Sequence, residues 1–211
     1  MPINAIRETI QSALAHEERT GSFRQKLAEQ LPCLRARLEL PDIDPVGTLM
    51  CFVIDYVRSV PGSLNLVRAV SKRFGFHDYT VPFLELAEDY ILHPPPVLPS
   101  DEGLEAMLDE AYLSHRLLEE VNDHHQRELR RPLLPVDMTE ANLIVHYLVG
   151  DEFATRLEHL VQITASQLLA RDYVWERVRA LPGVEQASVA RISSDTFGRG
   201  PLRVRLRLDR G

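Results

Sequence analysis

The sequence predicts a mainly α protein, a helical bundle of two packed helical halves that closes with a C-terminal β-hairpin. Three observations carry this. Apolar residues recur at three- and four-residue spacing through most of the chain, the period of helices with a buried face. A proline cluster, HPPPVLPSD at 93–101, interrupts them, because proline removes backbone donors and disfavours the α conformation of the residue before it. Near the end, LRVRLRL at 202–208 alternates apolar and arginine residues, which is the two-residue period of a strand with one covered face.

Each element follows in order. Ile3, Ile6, Ile10 and Leu14 predict an opening amphipathic helix, and a second covers about 23–38, with Pro32 a point where it breaks. Asp44-Pro45 is a start signal, with the aspartate as N-cap and the proline in the first turn. VGTLMCFVIDYVRSV follows as a central helix, which Pro61-Gly62 stops. Ser63 caps another helix to Phe74, Gly75 ends it, and a short helix spans about 82–92. Beyond the prolines, Ser100 and Asp101 cap a long helix over 102–130, and Pro132 and Pro135 reverse the chain. Asp137 and Glu140 have capping-box spacing before a helix towards 170, which Gly150-Asp151 kinks or splits. A last helical segment covers 172–180, and 184–192 is the partner strand of the terminal hairpin. The expected organisation is an N-terminal helical subdomain (1–92), a stiff connector (93–101), a helical hairpin with its following helix (102–182) and a β-hairpin tail (183–211) in one compact domain. A lone two-stranded hairpin is marginal in water, so it must lie on the helices or pair with another chain.

At 45% hydrophobic and 26% charged, the composition is that of a folded protein. No stretch of about 18 uninterrupted apolar residues exists to cross a membrane, and the amphipathic N-terminus lacks the apolar core of a signal peptide. Cys33 and Cys51 form no close-spaced motif and read as reduced core residues, which points to a cytoplasmic protein. Charge is uneven. Residues 171–211 hold nine arginines against five acidic residues, a surplus of +4, so the preceding part carries −11 of the net −7. Only Lys26 and Lys72 are lysines, a bias that reflects genome composition more than function.

The helix over 102–130 carries Leu104, Leu108, Ala111, Leu118 and Leu129 on one face, at 100° per residue. His115 and Asn122 fall within that face, Glu119, His125 and Gln126 on its flanks, and His124 points away. The partner helix presents Leu143, Phe153, Leu157, Leu160, Val161, Thr164 and Leu168, with Asn142 and His146 among them. An antiparallel hairpin reversing near Leu134 sets Asn122 opposite His146 and Gln126 opposite Asn142. These polar residues either satisfy one another and fix helix register or line a ligand site, for which His115, Glu119, Asn122, His125, Asn142 and His146 are the candidates.

Catalytic templates fail on spacing. Three residues after Glu119 and Glu120 stand Asn122 and Asp123, not the histidine of a di-iron bundle. His77-Asp78 matches the dipeptide of HD-type phosphohydrolases but stands after Gly75 as a loop pair. His124-His125 begins an acyltransferase HHxxxD, yet Leu129 occupies the aspartate position. No GxSxG, P-loop or GxGxxG occurs. Arg203, Arg205 and Arg207 could hold an anion, although the acidic body and the lack of interleaved aromatics argue against nucleic acid. The expectation is therefore a non-catalytic binding or regulatory protein, a homodimer with no resident metal or cofactor. Its alternative is a small-molecule or metal-dependent enzyme with a polar site between helices 102–130 and 139–170.

Overall fold

The computed structural model describes residues 2–98, 103–129, 136–169, 190–191 and 204–207. Among these, seven helices pack together: α1 (Pro2–Thr20), α2 (Ser22–Arg37), α3 (Pro45–Arg73), α4 (His77–Leu92), α5 (Leu104–Leu129), α6 (Thr139–Val149) and α7 (Asp151–Leu169). The mainly α class holds. None of these helices is long and apolar enough to cross a membrane.

The first turn is built by α1 itself. Gly21 takes a φ of 62°, which glycine tolerates, and the buried Glu17 reaches across to accept from the N–H groups of Phe23 (3.0 Å) and Arg24 (2.9 Å). It thus satisfies donors that the start of α2 leaves open. Asp44 caps α3 as its sequence implies, accepting from Gly47 N at 2.9 Å.

Prolines did not end helices where expected. α2 runs through Pro32, and α4 starts at His77 and contains Pro82, so His77-Asp78 opens a helix instead of lying in a loop. α3 continues through Pro61-Gly62, and Ser63 caps nothing. A mid-helix proline forfeits one hydrogen bond, but Val57, Val60, Leu64 and Val67 on both sides of it are all buried. That continuous apolar stripe outweighs the local breaker.

α5 is the axis of the bundle, packed against α1, α3, α4, α6 and α7. Its middle is covered on every side, with residues 111–115, 117, 118, 121 and 122 all buried, whereas Asp123, Gln126 and Arg127 nearer its end are exposed. The one-face expectation is corrected accordingly. Gly150, at a φ of 100°, splits the following segment into α6 and α7. The split changes helical phase, leaving Leu143 40% exposed while Ala154, Leu157, Val161 and Ala165 are buried. Asp137 accepts from Thr139 N at 3.3 Å ahead of α6. The connector turns through Leu98 N donating to Pro95 O (2.9 Å), with Leu98 buried. Cys33 and Cys51 are exposed free thiols, not core residues.

Among the described residues four two-residue strands accompany the helices. β1 (Leu38–Glu39) pairs antiparallel with β4 (Arg205–Leu206), and β2 (Val136–Asp137) pairs in parallel with β3 (Ala190–Arg191). The C-terminal strand thus has the antiparallel partner it needs, supplied by the exit of α2. Val204 and Leu38 are buried and Arg205 and Arg207 exposed, as the alternation requires. The segments expected as helix at 172–180 and as strand over most of 184–192 lie outside the described residues.

Replacing Glu17 with alanine removes the acceptor for two backbone donors at the start of α2 and costs about 1–2 kcal/mol. Urea unfolding of Glu17→Ala against the parent measures it.

Candidate functional site

The polar residues of α5 fall into two groups on different sides of the helix. The first faces α3, α6 and α7. Asn142 on α6 accepts from the Tyr56 hydroxyl (2.6 Å) through Oδ1 and donates through Nδ2 to Glu119 (2.5 Å). Glu119 is also bound by Arg116, one turn earlier on α5, whose Nε lies 3.9 Å from Glu158 on α7. Glu158 accepts from the Tyr112 hydroxyl (2.5 Å) and meets His146 Nδ1 at 3.0 Å. His146 Nε2 lies 3.5 Å from Asp151, which Arg37 of α2 reaches at 3.3 Å. One chain of contacts therefore runs from the fully buried Tyr56 to the exposed start of α7.

The sequence-predicted register is shifted. Asn142 meets Glu119, two turns before Gln126, and His146 meets Tyr112 instead of Asn122. The cause is β2, which packs on α5, so the chain has already run back along that helix when α6 begins. Asn122 is buried near this group, whereas Gln126 is exposed.

The charges interlock. Burial works against the Arg116 guanidinium, yet Glu119, Tyr112 and Glu158 raise its pKa above the ordinary value. Burial opposes the Glu158 carboxylate too, but hydrogen bonds from Tyr112 and His146 and the nearby Arg116 hold it below the usual carboxylate range. Burial, then Tyr112 and Glu119, pushes the Tyr56 phenol well up, so it stays a neutral donor.

His115 adjoins this network, its ring 4.8 Å from that of Tyr56 and 0% exposed. Its Nε2 lies 2.9 Å from Ser59 Oγ, a distance that suits a nucleophile and its base. The chemistry does not follow. Ser59 sits mid-helix and donates its only proton to Tyr56 O at 2.6 Å, so it accepts from His115 Nε2–H. The imidazole is thereby fixed as a donor towards the hydroxyl it would have to deprotonate. Its Nδ1 is buried with no hydrogen-bond partner among the described residues, and no carboxylate orients the ring. Burial lowers the His115 pKa to about 4.

The second group faces α4. His125 donates through Nδ1 to Val121 O (2.6 Å) and meets the Tyr79 hydroxyl at 2.9 Å, so both nitrogens are satisfied in the neutral ring. Burial again lowers the pKa to about 4. Glu110 is the opposite case. Its Oε2 is buried without a partner among the described residues, and burial with Asp109 beside it pushes the carboxyl up to about 8.

Of the six predicted site residues, the structure joins Glu119 and Asn142 directly and links His146 to them through Arg116 and Glu158. His115 stands beside this network and His125 apart from it. Sequence reasoning missed Tyr56, Tyr112, Arg116 and Glu158. Tyr56 was counted within an apolar run, but Arg116 and Glu119 stand at ion-pair spacing on a helix and could have been found. No three His, Cys, Asp or Glu side chains converge as a metal requires among the described residues. Of the candidate anion-binding arginines, Arg205 and Arg207 are exposed on β4 or beside it, and Arg203 lies outside the described residues.

Comparison with protein-family models, with curated proteins and with solved structures returned no match.

Two outcomes follow from this geometry. Asn142→Ala removes the acceptor at 2.6 Å from the Tyr56 hydroxyl and the donor to Glu119, costing about 2–4 kcal/mol in urea unfolding. Adding Tyr56→Phe to that variant costs less than Tyr56→Phe alone, because its hydroxyl has already lost its acceptor.

Stability also peaks near pH 6.5. His115 and His125 fall from 6.5 to about 4 on folding, so the unfolded chain binds more protons and stability drops as pH falls through that window. Glu110 rises from 4.5 to about 8, so the folded chain holds its proton and stability drops as pH climbs towards 8. Thermal melts across pH 4–9 show the maximum, and Glu110→Gln removes the decline on its alkaline side.

Proposed function

We propose that this protein is a non-catalytic helical binding or regulatory protein that works as a homodimer in the cytoplasm. One observation carries the reading: most of the titratable groups around α5 engage one another. Tyr56, Asn142, Glu119, Arg116, Glu158, Tyr112 and His146 form a continuous set of contacts across four helices. Ser59 spends its proton inside its own helix. Networks closed in this way select one helix register over its neighbours. Self-association is supported by the charge imbalance between an acidic body and a basic C-terminal segment. The exposed free thiols suit a reducing compartment. The acidic body speaks against nucleic acid as the partner, and no resident cofactor is invoked.

A second reading, a small-molecule site beside the helical hairpin, has the bare Nδ1 of the buried His115 in its favour, since a ligand donor would satisfy it. A ligand-induced shift of the His115 Nδ1 nitrogen resonance, absent in His115→Gln, would support it.

For the homodimer, sedimentation of the full chain at micromolar concentration gives a dimer that loosens as salt is added. A monomer under those conditions rejects it.

A further inference from the structure

We infer that the homodimer forms where the arginine face of β1–β4 in one copy meets the acidic face of α4 in the other. The inference rests on the self-association proposed above and supplies its surface.

Leu38 stands opposite Leu206 and Glu39 opposite Arg205, and Arg207 N donates to Arg37 O at 2.8 Å, which sets Arg37 across from Arg207. Leu38 and Val204 are buried, so Arg37, Glu39, Arg205 and Arg207 form the outer face of the ladder. Glu39 stands opposite Arg205, but Arg37 and Arg207 are like charges directly across the ladder, a destabilising arrangement that an added anion would relieve. Asp151 engages Arg37, but Arg205 and Arg207 form no ion pair among the described residues.

The complementary face is on α4. Asp78, Glu85 and Asp89 are all exposed, and steps of seven and four residues put them on one stripe. The helix, HDYTVPFLELAEDYIL, contains no lysine or arginine to offset them. Asp89 meets only His93, at 3.2 Å, and Asp78 and Glu85 have no ion-pair partner among the described residues. The spacings also agree: Glu85 and Asp89 are separated by about 6 Å along a helix, and Arg205 and Arg207 by about 7 Å along a strand. α4 packs on α1, α3, α5 and α7, whereas β1 and β4 lie against α2 and α6. No ion pair joins the two stripes within one copy among the described residues. Because the two faces differ, a two-fold dimer makes the contact twice, once in each direction.

Charge exchange tests this in the full chain, with circular dichroism confirming that each variant folds. R205E/R207E and E85R/D89R are each expected to weaken the dimer at least tenfold in sedimentation velocity. An equimolar mixture of the two, and the fourfold variant carrying both exchanges, are expected to recover it. A wild-type monomer overturns self-association itself. A dimer that survives both reversals overturns only this surface, as does a loss that neither the mixture nor the fourfold variant repairs. Wild-type binding of a fluorescent oligonucleotide that R205E/R207E abolishes, with the dimer intact, assigns the arginine face to a polyanion and also overturns the proposal.

Discussion

The arrangement of helices around α5 depends on one guanidinium. Arg116 is mostly buried, where an unpaired charge is expensive, and it is tolerable only because Glu119 and Glu158 stand on either side. Glu119 comes from the same helix, but Glu158 comes from α7. Through Glu119 the pair reaches Asn142 on α6 and Tyr56 on α3, so a single charge specifies how three other helices sit on the axis. Apolar packing supplies most of the stability, but it would accept neighbouring registers at small cost. The polar chain accepts one, since sliding α6 by a turn would part Asn142 from both Tyr56 and Glu119 and His146 from Glu158.

The same logic explains why a central helix carries so much polar chemistry without becoming a reaction centre. Catalytic groups need an atom left over to engage substrate. Here Ser59, Tyr56, Tyr112 and Glu158 point into one another or into the backbone. Six buried side-chain atoms lack a hydrogen-bond partner among the described residues, those of Ser63, Tyr90, Glu110, Ser114, His115 and the Nε of Arg116. Of these, His115 and Glu110, whose pKa values burial moves to about 4 and about 8, stand in separate groups.

Much of this was legible in the sequence. The helical period placed α1, α5 and α6–α7, the Asp44-Pro45 signal placed the start of α3, and the burial of His115 and Asn122 within α5 followed from the helical wheel, whereas His125, set on the flank with Gln126, is buried and Gln126 exposed. What failed did so for physical reasons. Pro32, Pro61 and Pro82 are local signals, and each lost to apolar neighbours that packing held in line. Angular periodicity finds the most apolar side of a helix, but it cannot tell that the middle of α5 is enclosed on all sides while its end is not. Leu143 was misjudged because its face was read as continuous with that of 153–168, although Gly150-Asp151 was itself a recognisable break and shifts the phase between them. The Tyr56–Asn142–Glu119 contact unites three elements distant in sequence, and its register depended on β2, a two-residue strand with no periodic signature.

The pairing of β1 with β4 carries a temporal consequence. It closes Leu38–Glu39 with Arg205–Leu206, near opposite ends of the chain, so the ladder cannot form during synthesis until residue 206 has emerged from the ribosome. The helices form from local contacts and can assemble first, while the polar backbone groups of Leu38 and Glu39 wait for their strand. For that interval the nascent bundle carries an open edge beside α2 and α6, which the arrival of β4 seals.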